Sequence, residues 1–148
     1  MSLSFPWEPE YGQELIAFYR QTVRTRSYSD EEGDVARLVE AKMKELGFDQ
    51  AYIDPAGNVV GRVGHGPRVI HFDSHMDTVQ AGDPALWRTD PFSAEVIDGM
   101  VYGRGSVDMK GGLAASVYAA ALAKRAGLLE GKTVYVTGSV CEEYCDGV

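Results

Sequence analysis

The side chains of this chain that could do chemistry together fall in three short segments. His75-Met76-Asp77 closes one apolar run and Glu142-Glu143 follows another. Between them, Asp108 lies in Gly103-Arg104-Gly105-Ser106-Val107-Asp108-Met109-Lys110-Gly111-Gly112. Imidazole and carboxylate are the ligands of hydrolytic metal sites, and a carboxylate beside such a site can act as its general base. Only five residues follow Glu143. A centre of this kind normally needs more ligands than these segments supply, so the pattern reads as a hydrolytic site of which this chain holds a part.

Each segment also has a plainer reading. His75 and Asp77 lie two apart at the carboxyl end of a strand-like run, so they would share a face, and that end is where open α/β sheets bind ligands. There His75 would bind metal while Asp77 held its other ring nitrogen. The plain alternative is a solvated strand end followed by a turn. His71-Phe72-Asp73 repeats the spacing further from the loop, and His71 is expected in the core or behind the ligands. Asp108, in a glycine-rich loop before a helix, could bridge two cations with its two oxygens. A phosphate-cradling loop is disfavoured because the Gly-x-x-x-x-Gly-Lys-Ser/Thr pattern is missing and the chief side chain is an acid. A simple helix cap remains the competing role. The side chains of Glu142 and Glu143 diverge, as neighbours do, which suits one ligand and one proton acceptor without saying which is which. Cys141 and Cys145 could begin a zinc site, but no second pair completes it, and two buried structural thiols are the better reading.

These residues need elements to position them. Leu15, Ile16, Tyr19 and Val23 recur at helical spacing and predict a helix over residues 10–26. Ser29 with Glu32 has the form of a capping box for a second helix, which runs through Val35, Leu38, Val39, Met43 and Leu46 and stops at Gly47. Residues 48–53 and 58–63 read as short strands around the turn Asp54-Pro55-Ala56-Gly57. Residues 68–75 should form a strand whose first half is too apolar to face water, hence a central one in a covered sheet. Asp98-Gly99 marks a hairpin between residues 94–97 and 100–102. An alanine-rich helix over 110–126 and an apolar strand over 132–140 follow. Helices alternating with buried strands predict a three-layer α/β/α domain with a mixed sheet.

At 148 residues the chain suffices for one domain, burying roughly 70% of its unfolded surface. With 14 basic and 22 acidic residues the net charge is −8, and no basic stripe interleaved with aromatics suggests a nucleic-acid partner. No apolar run approaches the ~18 residues of a membrane span, and no secretory signal opens the chain. Two cysteines four apart make no disulfide framework and suit a reducing compartment, so a cytoplasmic protein is expected.

Together the segments resemble the co-catalytic dinuclear zinc hydrolases that include aminoacylase, acetylornithine deacetylase, succinyl-diaminopimelate desuccinylase and glutamate carboxypeptidase. The resemblance rests on His75-Met76-Asp77-Thr78-Val79, on Trp87 with Asp90-Pro91-Phe92, and on Tyr102-Gly103-Arg104-Gly105. Asp108-Met109-Lys110-Gly111-Gly112 and Glu142-Glu143 complete it. The stretch 136–147 is similar to a subgroup of peptidases associated with selenium metabolism. The resemblance implies that His75 binds one zinc, Asp108 bridges two, Glu143 binds the second, Glu142 is the general base and Asp77 orients His75. It implies two Zn2+, with Co2+ or Mn2+ able to replace them, and cleavage of an amide bond in a small peptide or N-acyl amino acid. It also implies further ligands downstream and a smaller domain for dimerisation and closure, so that the full-length protein would be a homodimer. Residues 1–148 are thus expected to be the N-terminal part of such a catalytic domain, holding fewer metals or none and inactive alone, with an exposed sheet edge that invites self-association. A non-catalytic binding or regulatory domain with the same fold is the alternative.

Overall fold

Alternation along the strands sets which residues meet the helices. The computed structural model describes residues 8–144. Strands β1 (Gln50–Ile53) and β2 (Val59–Gly64) form an antiparallel hairpin, joined by a turn in which Asp54 Oδ1 accepts hydrogen bonds from the Ala56 and Asn58 amides. Strand β3 (Arg68–His75) follows, and a small separate hairpin is made by β4 (Glu95–Ile97) and β5 (Met100–Tyr102). Its turn residues Asp98 and Gly99 both have positive φ, at 51° and 78°, as a tight two-residue hairpin turn requires. Strand β6 (Lys132–Ser139) inserts between β2 and β3, antiparallel to the first and parallel to the second, giving the order β1-β2-β6-β3. The expected α/β class with a mixed sheet is present.

Val59 and Val63 of β2, with Val134 and Val136 of β6, point to one face and enter a single buried cluster with three helices. These are α1 (Pro9–Arg24), α2 (Gly33–Glu45) and α3 (Gly111–Arg125). The described residues therefore build the sheet and one helical layer. In α1 the buried residues are Tyr11, Phe18, Thr22 and Val23, with Leu15 beside them, on one face at helical spacing. Of the residues expected on the stripe, Val23 is buried and Leu15 and Tyr19 pack against the cluster, whereas Ile16 is 50% exposed; Phe18 instead meets Tyr118 with ring centroids 6.0 Å apart. No described helix is long and apolar enough to cross a membrane.

Two expectations fail here for physical reasons. Strand β3 is not central: among the described residues only β6 pairs with it, and Val69 and Phe72 are 60% and 43% exposed. His71, expected in the core or behind the ligands, sits on that open strand with Nε2 2.7 Å from Thr137 Oγ1. Beside β3, an open hollow of about 300 Å³ is lined by Ile70, Phe72, Ala123, Leu128 and Leu129. An apolar strand with one free edge pairs readily with another chain. The chain should therefore self-associate with rising concentration, and the double change Val69→Lys, Phe72→Lys should shift it to monomer. Sedimentation velocity checks this; equal association of both proteins would acquit the edge.

The second failed expectation is the capping box. Helix α2 starts at Gly33 with no side-chain cap. Ser29 and Glu32 are both buried, and their side chains bond to Asp77 and to the Cys141 amide instead.

Candidate metal centre

The parallel strands β3 and β6 end side by side, with His75 opposite Ser139. The Met76 amide donates to the Ser139 carbonyl at 2.8 Å, extending the pairing past the last strand residue. Gly138 permits this: a Cβ there would come within 2.8 Å of Met76 Sδ. The loop after β5 reaches the same place through Gly105, whose φ of 76° suits glycine. Beyond it, the irregular turn Ser106–Lys110 carries Asp108 and leads into α3.

His75 is the centre of the arrangement. Its Nδ1 lies 3.0 Å from the Asp77 carbonyl oxygen and 3.4 Å from Asp77 Oδ1. Its Nε2 lies 3.0 Å from Asp108 Oδ1 and 3.8 Å from Glu142 Oε2. The 3.0 Å contact of Nε2 with Asp108 needs a proton on the ring nitrogen; with Nδ1–H donating to the Asp77 carbonyl, loss of that Nε2 proton would leave the lone pair that a metal ligand needs. Burial alone would lower the imidazole pKa from 6.5, but Asp108, Asp77 and Glu142 outweigh it and hold the value above the usual range. One ligand atom each from His75, Asp108 and Glu143 lies within 4.8 Å of the others. A cation with bonds of about 2.0–2.2 Å could draw such a set together through small side-chain shifts, and an N/O/O set suits a divalent ion.

Asp77 is more than a partner of His75. Its carboxylate is fully buried and accepts three hydrogen bonds. Ser29 Oγ donates to Oδ2 at 2.6 Å, the Glu143 amide to Oδ2 at 3.1 Å, and the Glu142 amide to Oδ1 at 3.2 Å. The sequence pairing of Asp77 with the second ring nitrogen is thus met mainly by its backbone oxygen, while its carboxylate holds the acidic pair. All five residues singled out from sequence come together at this strand end. Glu32 joins them from behind, accepting the Cys141 amide at 2.9 Å. Cys141, expected to be buried, is only half-buried, and its thiol is pushed up to about 11 by burial with Asp30 and Glu32 nearby. Cys145 lies outside the described residues.

Sequence reasoning missed Ser29, Glu32 and Lys110. The first two matched a capping box, which absorbed the signal. Lys110 looked like a helix-start residue, yet it is fully buried and its ammonium donates to the Thr22 and Thr25 carbonyls at 2.9 and 2.8 Å. It ties the end of α1 to the turn that carries Asp108. Burial lowers its pKa from 10.5 to about 8, against an opposing pull from Asp77. The unfolded chain therefore binds more protons between those two values, and the Lys110 contribution to stability rises as pH increases through that window. Urea unfolding of the wild type and Lys110→Met at pH 7.5 and 9.5 should show the difference moving in the wild type's favour at the higher pH; a constant difference would refute it.

In front of these groups is an open cleft of about 360 Å³ lined by Val79, Arg104, Val107, Asp108 and Glu143. Beside it is a mainly apolar hollow of about 480 Å³ with Tyr19, Trp87 and Tyr102 in its wall. The Arg104 guanidinium lies over the Trp87 ring at 5.2 Å, a cation–π contact that fixes the rim between them.

A histidine and a glutamate at the ends of two parallel strands meet a loop aspartate under an open cleft, and imidazole with carboxylates is the donor set that hydrolytic metal sites use. The sequence profile of Peptidase family M20/M25/M40 matches residues 71–148, and the chain belongs to that family. It is 41% identical to YgeY of Escherichia coli over 139 residues, which are 94% of this chain and 34% of that protein. It is 41% identical over 109 residues to a succinyl-diaminopimelate desuccinylase of Cereibacter sphaeroides, covering 71% of this chain and 29% of that enzyme. An M20 family metallo-carboxypeptidase of Sulfolobus solfataricus shares the fold at a TM-score of 0.75 and 21% identity, over 93% of this chain and 34% of that one. The chain thus spans about a third of the length of these relatives.

Proposed function

We propose that this chain carries part of the active site of a two-metal amidohydrolase that cleaves a dipeptide or an N-acyl amino acid. The observation that carries the reading is the convergence of His75, Asp108 and Glu143 within 4.8 Å, with the Glu142 carboxylate 3.8 Å from the same imidazole. His75 would hold one ion, Glu143 the other, and Asp108 both; zinc, cobalt or manganese suits these donors. When bound, the ions supply a Lewis acid for the scissile carbonyl and lower the pKa of water. Glu142 accepts a proton from the attacking water and returns it to the leaving amine. Asp77 keeps the imidazole in its ligand tautomer and fixes the backbone of both glutamates. The cleft beside Asp108 and Glu143 receives the scissile bond, and the apolar hollow by Trp87 and Tyr102 takes a neighbouring substrate group.

The family membership supports this reading, and so does the length of the relatives, which leaves room for the remaining ligands and a smaller closing domain outside residues 1–148. Metal analysis of the full gene product, joined to an assay on N-acyl amino acids and dipeptides, tests it. About two metals per subunit and chelator-sensitive turnover are expected. No metal and no turnover would sink the proposal in favour of a non-catalytic binding domain.

A further inference from the structure

The segment between α1 and α2 grips both halves of the site from behind. It runs beside residues 76–78: the Thr78 amide donates to the Ser27 carbonyl at 2.9 Å, and Tyr28 bridges to Thr78. Three of its side chains then reach the ends of the two parallel strands. Ser27 Oγ donates to the Met76 carbonyl at 2.7 Å, and Ser29 Oγ to Asp77 Oδ2 at 2.6 Å. Glu32 Oε1 accepts the Cys141 amide at 2.9 Å. All three side chains are buried. None is a ligand, none caps α2, and each occupies a polar group on the short path between His75 and the glutamates.

A buried hydroxyl that satisfies nothing but a carboxylate and a buried carboxylate that satisfies a loop amide are costly to place unless the geometry they fix matters. Asp77 receives two loop amides and the Ser29 hydroxyl on two oxygens. Removing the hydroxyl lets the carboxylate rotate about its own axis and loosens its hold on the amides of Glu142 and Glu143. Cys141 has a φ of 55°, an uncommon conformation for a residue with a Cβ. Glu32 holds the amide of that residue, directly before the acidic pair.

We propose that residues 27–32 form a positioning strap for the metal-site carboxylates, with Ser29 acting through Asp77 and Glu32 acting through Cys141. The role in metal binding rests on the two-metal reading above, whereas the mechanical role does not. Two measurements separate them. Amide hydrogen exchange on the metal-free chain reads the grip directly. Ser29→Ala should speed exchange at Glu142 and Glu143 by about tenfold, and Glu32→Ala should do so at Cys141. Glu32→Gln, which keeps an accepting oxygen, should leave Cys141 protected. Ser116→Ala is the matched control: Ser116 is also buried, donates to Leu113 within α3, and lies outside the strap. The second measurement is Co2+ titration of the full gene product, where loss of a group that orients ligands should weaken binding about 10–100-fold. Ser29→Ala should do so while thermal stability tracks that of Ser116→Ala. Unchanged exchange at Glu142 and Glu143 in Ser29→Ala, or an equal rise in Ser116→Ala, would overturn the strap. If the wild type takes up no Co2+ while the exchange pattern holds, the two-metal reading fails and the strap stands as a purely mechanical device.

Discussion

Glu142→Gln should lower kcat of the full gene product by about 10²–10⁴-fold, the usual worth of a general base, while its metal content stays unchanged. The substitution keeps the length of the side chain and its capacity to hydrogen-bond, and removes only the ability to take a proton at neutral pH. The Glu142 side chain is 59% exposed with its carboxylate 3.8 Å from His75 Nε2, so it is open to meet an attacking water. Its backbone is not free, because the amide is held by Asp77 at 3.2 Å. That combination, a fixed main chain under a movable acid, suits proton transfer. Glu143→Gln should behave in the opposite way. Glu143 belongs to the trio with His75 and Asp108, so its loss should strip metal first and activity as a consequence. Steady-state kinetics and metal analysis on both variants decide the division of labour that the two adjacent acids leave open in the sequence. Metal loss in Glu142→Gln with retention in Glu143→Gln would exchange their roles.

How much of this was legible beforehand follows from the range of the interactions involved. The elements were readable because local signals fix them. Asp98-Gly99 needs two positive φ angles and has them, and Gly47, at a φ of 79°, ends the second helix where expected. The meeting of the five candidate residues follows from their places in the fold, because two strand ends and a glycine-rich loop converge where open α/β sheets bind ligands. The helical stripe holds at Leu15, Tyr19 and Val23 and fails only at Ile16: spacing marks the face of a helix but not its edge, and Phe18, outside the pattern, packs on the distant ring of Tyr118 instead. The central position of β3 was inferred from an apolar composition that reports what a strand is built to contact. The neighbour it calls for is not among the described residues. Ser29 and Glu32 were hidden for a different reason. Their spacing satisfies a local motif, and the bonds they form instead span 48 and 109 residues. A pattern read along the chain has no access to such partners.

Asp77→Asn should be the most damaging single change to the fold of the site, costing about 3 kcal/mol of stability and weakening metal binding about 10–100-fold. The carboxylate is fully buried and acceptor-only, and three donors converge on its two oxygens. Asparagine offers one oxygen and one amide group in the same volume. If the oxygen stays with the Glu142 amide, the new NH2 faces the Glu143 amide and the Ser29 hydroxyl. Ser29 can turn and accept, but a backbone N–H cannot, so the Glu143 amide is left buried without a partner. Turning the side chain over moves the loss to Glu142. Lys110 also loses the one carboxylate that opposes its desolvation. Asp49→Asn is the comparison: Asp49 pairs with Lys124 at 2.6 Å, but the side chains are 33% and 38% exposed, and a pair so accessible to water is worth about 0–1 kcal/mol. Urea unfolding of both variants, with Co2+ titration of the full gene product, checks the contrast. Equal costs for the two would mean that Asp77 is only another charged residue. A large stability loss with metal affinity intact would mean that the node supports the loop but not the ligands. Loss of both is the expected result, because the same two oxygens that satisfy the buried amides also set where the acids point.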